Sequence, residues 1–256
     1  MNSDEKSIDA AAEIISNSSY VVALVGAGLS AESGIPTFRG SGGLWTRIGE
    51  PSWNGYQELL RDPVGWWKDQ LNPESDPART EFRAAIDAAQ PNPGHQALAD
   101  LEQMDILKMT ITQNVDNLHV RAGSTRLIEI HGNRTKLRCI VCESRWLREE
   151  FDYEVLPPIC PECGGLVKGD TVMFGEPIPH RVLNACFDAT NQSDCMIVCG
   201  TSATVYPAAA FPQAVAERGG FVIEANPSPT PLSEIADVAL RGPAGTTLPQ
   251  LVDTLR

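Results

Sequence analysis

The sequence predicts an α/β fold in which a doubly wound parallel sheet carries a smaller inserted module. Three observations support this fold class. Short apolar or β-branched runs recur along the chain and alternate with helical stretches, as expected for parallel strands that are buried on both faces. The first run, residues 20–25, leads into a glycine-rich turn. Two Cys-x-x-Cys pairs interrupt the alternation within residues 134–172, which indicates a metal-bound module.

Local periodicity defines the individual elements. Residues 4–17 are predicted to be helical because their apolar residues recur at helical spacing, and further helices are predicted at 95–104 and 248–255. The predicted strands are 20–25, 108–112, 127–130, 195–199, 221–224 and 237–240.

The turn after the first strand, Gly26-x-Gly28-x-x-Ala31, has the spacing of a dinucleotide-binding loop. A long helix would follow in a dehydrogenase, but Ser33-Gly34-Ile35-Pro36 predicts that this helix ends after about one turn. Glycine spacing alone is weak evidence, so the turn indicates a nucleotide site only together with the polar residues described below.

Two segments do not follow the strand–helix alternation. Residues 41–80 are rich in Trp, Gly and Pro, and residues 134–172 contain the paired cysteines. We assign both segments to the smaller module, a structural zinc ribbon with helices. The nucleotide-binding domain then comprises residues 1–40, 81–133 and 173–256.

Composition excludes several classes of protein. The longest apolar run, residues 20–29, is too short to span a bilayer, and the first residues lack the pattern of a secretory signal. A net charge of −13 would repel phosphate backbones. We therefore expect a cytoplasmic protein with no membrane or direct nucleic-acid partner.

The cysteines predict one metal site. The chain has seven, and four of them form the pairs Cys139/Cys142 and Cys160/Cys163. A zinc site in a reducing compartment fits this spacing better than a disulfide framework. Four thiolates fill the tetrahedral coordination of Zn2+ and leave no open position, so the predicted zinc is structural and not catalytic.

Small or hydrogen-bonding residues follow four of the predicted strands. The carboxyl ends of parallel strands meet at one edge of a sheet, and ligands bind in the crevice outside that edge. Four separate strand ends with such residues are a stronger signal than the glycine turn alone. These residues are Gln113, Asn114 and Asp116; His131 and Gly132; Gly200, Thr201 and Ser202; and Asn226.

These motifs resemble those of the sirtuins, which are NAD-dependent protein-lysine deacylases. The matching stretches occur in family order and cover roughly residues 20–245. They are GAGLSAESGIPTFRG (26–40), TQNVDNLH (112–119), the His131-Gly132 pair, the two Cys-x-x-Cys pairs, VMFGEPIP (172–179), GTS (200–202) and Asn226.

The resemblance implies a Rossmann-like domain, with NAD and an acyl-lysine protein as co-substrates. The acyl amide oxygen attacks C1′ of the ribose as nicotinamide leaves, and the products are free lysine and 2′-O-acyl-ADP-ribose. The base that takes a proton from the ribose must be neutral at physiological pH, which suits His131. The segment behind the glycine turn would be a loop that closes over the nicotinamide half of NAD.

The resemblance also implies site residues. His131 and Asn114 would be catalytic. Asn114 and Asp116 would hold the nicotinamide beside Ile35, and the acyl-lysine peptide would bind at Phe174, Gly175, Glu176 and Val205. The implied cofactor-binding residues are Gly26, Ala27, Gly28, Ser30, Ile35, Thr37, Phe38, Arg39, Trp45, Gln113, Asn114, Asp116, Gly200, Thr201, Ser202, Asn226, Pro227, Ser228 and Ala244.

The other three histidines have structural interpretations. His95 begins a helix and is expected to pack or cap it, His119 is expected to be structural, and His180 is expected on the surface. Only His131 follows a strand into the predicted crevice.

The acyl group is constrained by one missing motif. Family members that remove succinyl or malonyl groups carry a Tyr-x-x-Arg pair, whose arginine binds the acyl carboxylate, and this chain has none. We expect acetyl, or a longer apolar acyl group. A long-chain or lipoyl deacylase and a protein ADP-ribosyltransferase stay open as alternatives.

Two other function classes compete with a deacylase. A dehydrogenase would need an acidic residue after the second strand, and the nearest candidate, Glu50, lies in the Gly/Trp-rich segment. A non-catalytic zinc-ribbon binding module would leave the polar residues at the strand ends without a role. The sequence gives neither the oligomeric state nor a role for Cys186, Cys195 and Cys199.

Overall fold

Six parallel strands form the main sheet of the protein in a computed structural model. The structure describes residues 3–38, 43, 45–46, 49–50, 52–72, 74–151 and 154–256. Three more strands form a separate antiparallel sheet. In chain order the strands are β1 Val21–Val25, β2 Leu107–Thr112, β3 Leu127–Glu129, β4 Lys136–Cys139, β5 Arg145–Leu147, β6 Val167–Gly169, β7 Cys195–Cys199, β8 Phe221–Ala225 and β9 Val238–Leu240.

Helices connect and cover these strands. Within the described residues they are α1 Ser3–Ser16, α2 Gly28–Ala31, α3 Gly55–Arg61, α4 Pro63–Leu71, α5 Pro77–Ala88, α6 Pro93–Gln103, α7 Leu118–Arg121, α8 His180–Gln192, α9 Ala210–Glu217 and α10 Ala244–Leu255. Nowhere in this part of the chain is a helix both long and apolar enough to cross a membrane.

The strand order of the main sheet creates a crevice. The order is β3-β2-β1-β7-β8-β9, so the chain builds outward from β1 on one side and then returns to build outward from β7 on the other. The connections after β1 and β7 leave in opposite directions, which opens a gap at the carboxyl ends of these two strands. This is the edge at which the sequence predicts the polar residues.

Both faces of the main sheet are covered, which explains why its strands read as continuous apolar runs. Along β1, Val21, Ala23 and Val25 belong to the core formed with α1, α6 and α10. The alternate residues, Val22 and Leu24, belong to the core formed with α8 and α9. Because side chains alternate across a strand, burial on both faces requires every position to be apolar.

Local capping sets the start of α4, α5 and α6. Each of these helices begins at a proline, whose missing N–H costs nothing at that position. The side chain before each proline accepts a backbone N–H of the first turn, and these capping residues are Asp62, Asp76 and Asn92.

The predicted architecture is confirmed for the main sheet. Every one of its strands was predicted, with ends displaced by no more than one residue. The break behind the glycine turn is also present, since α2 ends at Ala31. Helices were expected in the smaller module without bounds for α3 or α4, and the three short strands of the second sheet were not predicted.

The second sheet forms a ribbon module, defined here as residues 136–169. Its strand order is β5-β4-β6, and its small core includes Leu137, Cys139, Cys160 and Val167. Trp67 of α4 completes this core: the residue is 1% exposed, and its indole N–H donates to the carbonyl of Val167 at 3.0 Å. Packing of Trp67 therefore joins α4 to the ribbon.

Glycine is required where the turns after β1 and β7 meet. The Gly28 N–H donates to the carbonyl of Gly200 at 2.7 Å, and Gly26 donates to Cys199 at 3.0 Å. A Cβ on Gly28 would lie 2.8 Å from both Cα and O of Gly200, and one on Gly200 would lie 2.3 Å from the amide nitrogen of Leu29. The two turns can approach this closely only without side chains.

Replacing Gly28 with alanine should therefore destabilise the protein. The added methyl group meets backbone atoms of Gly200, so we expect the free energy of unfolding to fall by about 1–3 kcal/mol in denaturant titrations. Gly245→Ala is the matched control, because the three atoms nearest to its Cβ would all belong to the carboxylate end of the Glu32 side chain, the first at 2.6 Å. Equal stability of the two variants would contradict the close-approach argument.

Candidate active site

Asn114 ties the end of β2 to the glycine turn after β1. Its side chain is buried, and its Nδ2 donates to the carbonyl of Gly26 at 3.0 Å and to Oγ of Ser30 at 3.1 Å. These two bonds fix both the orientation of the Asn114 amide and its distance from the turn.

Asp116 lies beside Asn114 with both carboxylate oxygens engaged. Oδ2 accepts the Ser30 hydroxyl at 2.7 Å, and Oδ1 accepts the N–H of Leu118 at 2.9 Å. The residue is only 6% exposed. Its carboxylate is therefore a fixed negative charge in the wall of the crevice.

Asn114 and Asp116 form the polar side of a pocket that is otherwise mostly apolar. Ile35 is 5% exposed and packs with α5. A mostly apolar lining with a few placed polar groups is typical of small-molecule sites. The lining residues are Ala27, Ser30, Ile35, Pro36, Phe38, Phe82, Ile86, Asn114, Val115 and Asp116.

Two buried histidines stand behind Ser30. His95 Nδ1 accepts the Asn92 N–H at 3.3 Å, which completes the cap of α6, and its Nε2 lies 3.5 Å from the Ser30 hydroxyl. The ring of His119 packs against that of His95 at 5.1 Å. Burial lowers the pKa of His95 to about 3 and that of His119 to about 4, so both rings are neutral at physiological pH.

The crevice continues across the gap between β1 and β7. Gln113 donates from Nε2 to Oγ1 of Thr201 at 3.1 Å, and Asn226 donates from Nδ2 to the carbonyl of Thr201 at 3.2 Å. Thr201 thus connects the ends of β2, β7 and β8. Ser202, next in the chain, is exposed and bonds to Thr204 at 3.0 Å between hydroxyl oxygens.

His131 follows β3 at the same edge of the sheet. Its Nδ1 lies 3.2 Å from the carbonyl oxygen of Gln113. A carbonyl can only accept, so Nδ1 carries the proton and Nε2 of the neutral ring is left as the basic atom. Burial lowers the pKa of His131 below its ordinary value, and this effect exceeds the opposing hydrogen bond to Gln113. The ring is a half-buried neutral base.

Phe174 lies between two tryptophans of the Trp-, Gly- and Pro-rich segment. Its ring centroid is 5.4 Å from that of Trp45 and 4.9 Å from that of Trp53, both in edge-to-face geometry. Trp45 in turn packs on Phe38, a pocket residue, at 5.1 Å. A row of aromatic rings therefore runs from the pocket to Trp53, which is 65% exposed.

The four paired cysteines converge as the spacing predicts. Their sulfur atoms lie within 4.8 Å of one another, with 3.5 Å between Cys139 and Cys163 and 3.6 Å between Cys142 and Cys160. Tetrahedral zinc with Zn–S bonds of about 2.3 Å places sulfurs roughly 3.8 Å apart. The donor set and its size therefore fit one structural Zn2+.

Several other predicted residues have simpler surroundings. Thr37 and Val205 are half-buried, while Pro227 and Ser228 are exposed after β8. Ala244 begins α10, and its side chain belongs to a hydrophobic core. Arg39 lies outside the described residues.

The sequence analysis missed the contribution of α5 to the pocket. Phe82 and Ile86 both line it, and they are four residues apart on one face of the helix. That spacing was the available signal. It was overlooked because the helix begins inside the segment that reads as Trp-, Gly- and Pro-rich.

Comparison with known proteins gives consistent matches. Residues 26–207 match the model of the Sir2 family. "NAD-dependent protein deacylase 2" of Pyrobaculum aerophilum is 41% identical over 96% of this chain and 94% of its own. "NAD-dependent protein deacylase 1" of Archaeoglobus fulgidus is 44% identical over 99% and 98%. A solved Sir2 homologue in complex with NAD is 42% identical, with a TM-score of 0.78 over 100% of this chain and 94% of that one.

The cysteine cluster generates a test that is independent of activity. Cys139→Ser removes one thiolate, so we expect bound zinc to fall from one per chain to a small fraction of that, together with a lower Tm. Cys186→Ser is the control: this thiol is buried but lies outside the cluster, so zinc content should be retained. Full zinc content in Cys139→Ser would exclude Cys139 as a ligand.

Proposed function

Because the chain belongs to the Sir2 family, we propose that it is an NAD-dependent protein-lysine deacylase with acetyl-lysine as its preferred substrate. The observation that carries the proposal is the neutral imidazole of His131, with Nδ1 bonded to Gln113, at the edge that also carries the glycine turn. Relatives at 41–44% identity over nearly the whole chain are named as deacylases that depend on NAD.

The proposed position of NAD follows from the strand ends. The diphosphate would lie at the glycine turn, the position that the Gly26-x-Gly28 spacing after β1 indicates for a dinucleotide. The adenosine ribose would lie toward Asn226 after β8. The nicotinamide ring would enter the pocket between Ile35 and Asp116, whose apolar and polar walls match the ring and its carboxamide.

Bound NAD supplies a glycosidic bond whose carbon is attacked by the acyl amide oxygen as nicotinamide leaves. Asn114 and Asp116 would orient the ring for this departure, since hydrogen bonds to Ser30 hold both side chains in place. Ile35 would exclude water from the same face. The chain's contribution at this stage is positioning and exclusion of solvent.

His131 would act next, as the base that removes a proton from the ribose hydroxyls. Its Nε2 is the unprotonated nitrogen, and burial keeps the ring neutral. The carbonyl of Gln113 fixes the tautomer without adding a formal charge. Proton removal turns the ribose oxygen into the nucleophile that takes the acyl group from lysine.

The acyl-lysine peptide would bind beside Phe174 and Val205. The aromatic row from Phe38 through Trp45 and Phe174 offers apolar surface to an acyl group. This surface favours acetyl or other apolar acyl groups over succinyl or malonyl. Seven free cysteines, four of them converging as metal ligands, support a reducing compartment, and we propose the cytoplasm.

The direct experiment is incubation of the purified protein with NAD and acyl-lysine peptides that carry acetyl, succinyl, octanoyl or lipoyl groups. We expect nicotinamide, free lysine and O-acyl-ADP-ribose by mass spectrometry, fastest with acetyl-lysine. NADH would indicate a dehydrogenase. ADP-ribose attached to protein would indicate a transferase, and no loss of NAD with any peptide would support a binding module.

Removing the imidazole separates catalysis from binding. His131→Ala should lower deacylation at least about 100-fold, because general-base catalysis typically contributes 100- to 10,000-fold. NAD affinity by calorimetry should stay within a factor of a few. His180→Ala is the control, because His180 is exposed at the start of α8. Near-wild-type turnover of His131→Ala would refute its assignment as the base.

The pH profile reports the protonation of His131. Its pKa is lowered by burial, and the protonated ring cannot accept a proton. Activity, measured as kcat/KM, should therefore be retained at neutral pH and fall only below pH 6.5, the ordinary pKa of histidine. An acid limb centred above pH 6.5 would mean that the free protein stabilises the charged ring, contrary to the structure.

A further inference from the structure

Residues 172–179, named here the substrate segment, connect the ribbon module to α8. The segment contains Phe174 and contacts the backbone of His131, because the Val172 N–H donates to the carbonyl of His131 at 2.9 Å. Its position therefore affects both the peptide site and the base. What holds it in place is a question separate from the chemistry.

Glu176 anchors the middle of this segment to the ribbon. Its side chain is 2% exposed, and Oε2 lies 3.0 Å from Nζ of Lys168 on β6. Oε1 accepts from Nη2 of Arg138 on β4 at 2.5 Å. Oε2 also accepts the N–H of Met173 at 2.8 Å, which closes the turn that presents Phe174. A side chain expected at the peptide site is thus committed to internal ion pairs.

Asp170 anchors the beginning of the segment. It is fully buried and accepts from Nε of Arg138 at 3.1 Å, and it also lies 3.0 Å from Nε of Arg145. Its other oxygen accepts the N–H of Asn133 at 2.9 Å, two residues beyond His131. Arg138 therefore bridges the carboxylates of Asp170 and Glu176, and the same cluster reaches the loop that carries the base.

Glu143 anchors the far end of the segment. It follows Cys142 directly, and its carboxylate accepts the first backbone N–H groups of α8: that of His180 at 2.9 Å and that of Arg181 at 3.5 Å. A carboxylate at a helix N-terminus is stabilised by the unpaired amides and the helix dipole. This residue of the cysteine turn therefore holds the helix that the substrate segment enters.

The ion pairs that join Arg138 and Lys168 to Asp170 and Glu176 are buried, and this burial determines their effect on stability. Buried ion pairs contribute little net stability relative to apolar residues, but removing one partner leaves an uncompensated charge. Lys168 and Arg138 are both nearly fully buried and both pair with Glu176, and Arg138 pairs with Asp170 as well. The arrangement therefore defines one position for the segment and penalises any displacement from it.

We propose that Glu176 and Glu143 are positioning residues that hold the substrate segment on the ribbon module, so that the ribbon sets the affinity for the acyl-lysine peptide. The inference rests on the proposed function in one respect, namely that the peptide binds beside Phe174. Neither glutamate contacts the reacting atoms. Their effect is exerted through Phe174 and through the backbone that contacts His131.

The test is Glu176→Gln, which keeps the side-chain volume and an acceptor for Met173 but removes the negative charge. We expect KM for the acetyl-lysine peptide to rise on the order of tenfold or more, with kcat and NAD affinity within about a factor of three. Glu143→Gln should shift KM in the same direction by less. Zinc content should stay at one per chain in both variants.

Glu162→Gln is the matched control. Glu162 lies on the second cysteine turn, and its carboxylate accepts from the Ser144 hydroxyl at 2.5 Å, within the ribbon. The KM of the Glu162→Gln variant for the acetyl-lysine peptide should equal that of the wild type. If Glu176→Gln binds zinc and peptide like the wild type, the proposal is overturned, and it is equally overturned if kcat falls while KM stays constant.

Hydrogen exchange supplies a readout that does not depend on turnover. Amides within 172–176 should exchange faster in Glu176→Gln than in Glu162→Gln, and unchanged exchange would contradict the anchoring. If the wild-type protein shows no deacylation, the proposed function fails while this measurement still tests the anchor. If Glu176→Gln does not fold, the double variant Lys168→Met/Glu176→Gln, which removes both charges, should fold with raised KM. A wild-type KM in that folded double variant would overturn the proposal.

Discussion

The close contact between the turns after β1 and β7 is the constraint on which the cleft depends. Gly28 and Gly200 touch through backbone atoms alone, so the two halves of the sheet meet without intervening side chains. Asn114 then reaches the carbonyl of Gly26, and Gln113 reaches Thr201. These bonds order the proposed NAD site before any ligand arrives. A site that is already ordered in the folded protein loses less conformational entropy when its ligand binds.

A buried cluster of ion pairs lies beside the loop that carries His131. The ribbon contributes Arg138 and Lys168, which hold Asp170 and Glu176 in a buried cluster beside the loop of His131. The effect of a structural zinc therefore extends beyond the ribbon itself. It fixes β4 and the turn of Glu143, and through them both ends of the substrate segment. Folding of the ribbon therefore also determines the shape of the peptide site.

Sequence reasoning succeeded where one principle dominated. Two-face burial fixed the main strands, and the Cys-x-x-Cys spacing fixed the metal cluster. It failed where tertiary context decides. The short strands of the ribbon are stabilised by packing with Trp67. Their sequences show no clear alternation of apolar and polar residues that would predict them. The ion pairs of Glu176 join residues 38 positions apart in the case of Arg138, and no local pattern encodes such a contact. The site-residue roles stay predictions.

In the proposed mechanism, His131 acts on the ribose only after nicotinamide has left. This order can be tested by exchange of labelled nicotinamide into NAD, measured with acetyl-lysine peptide present. We expect His131→Ala to retain exchange while forming almost no O-acetyl-ADP-ribose. Loss of exchange together with product, in a variant that still binds NAD and peptide, would contradict it and assign His131 to the first step.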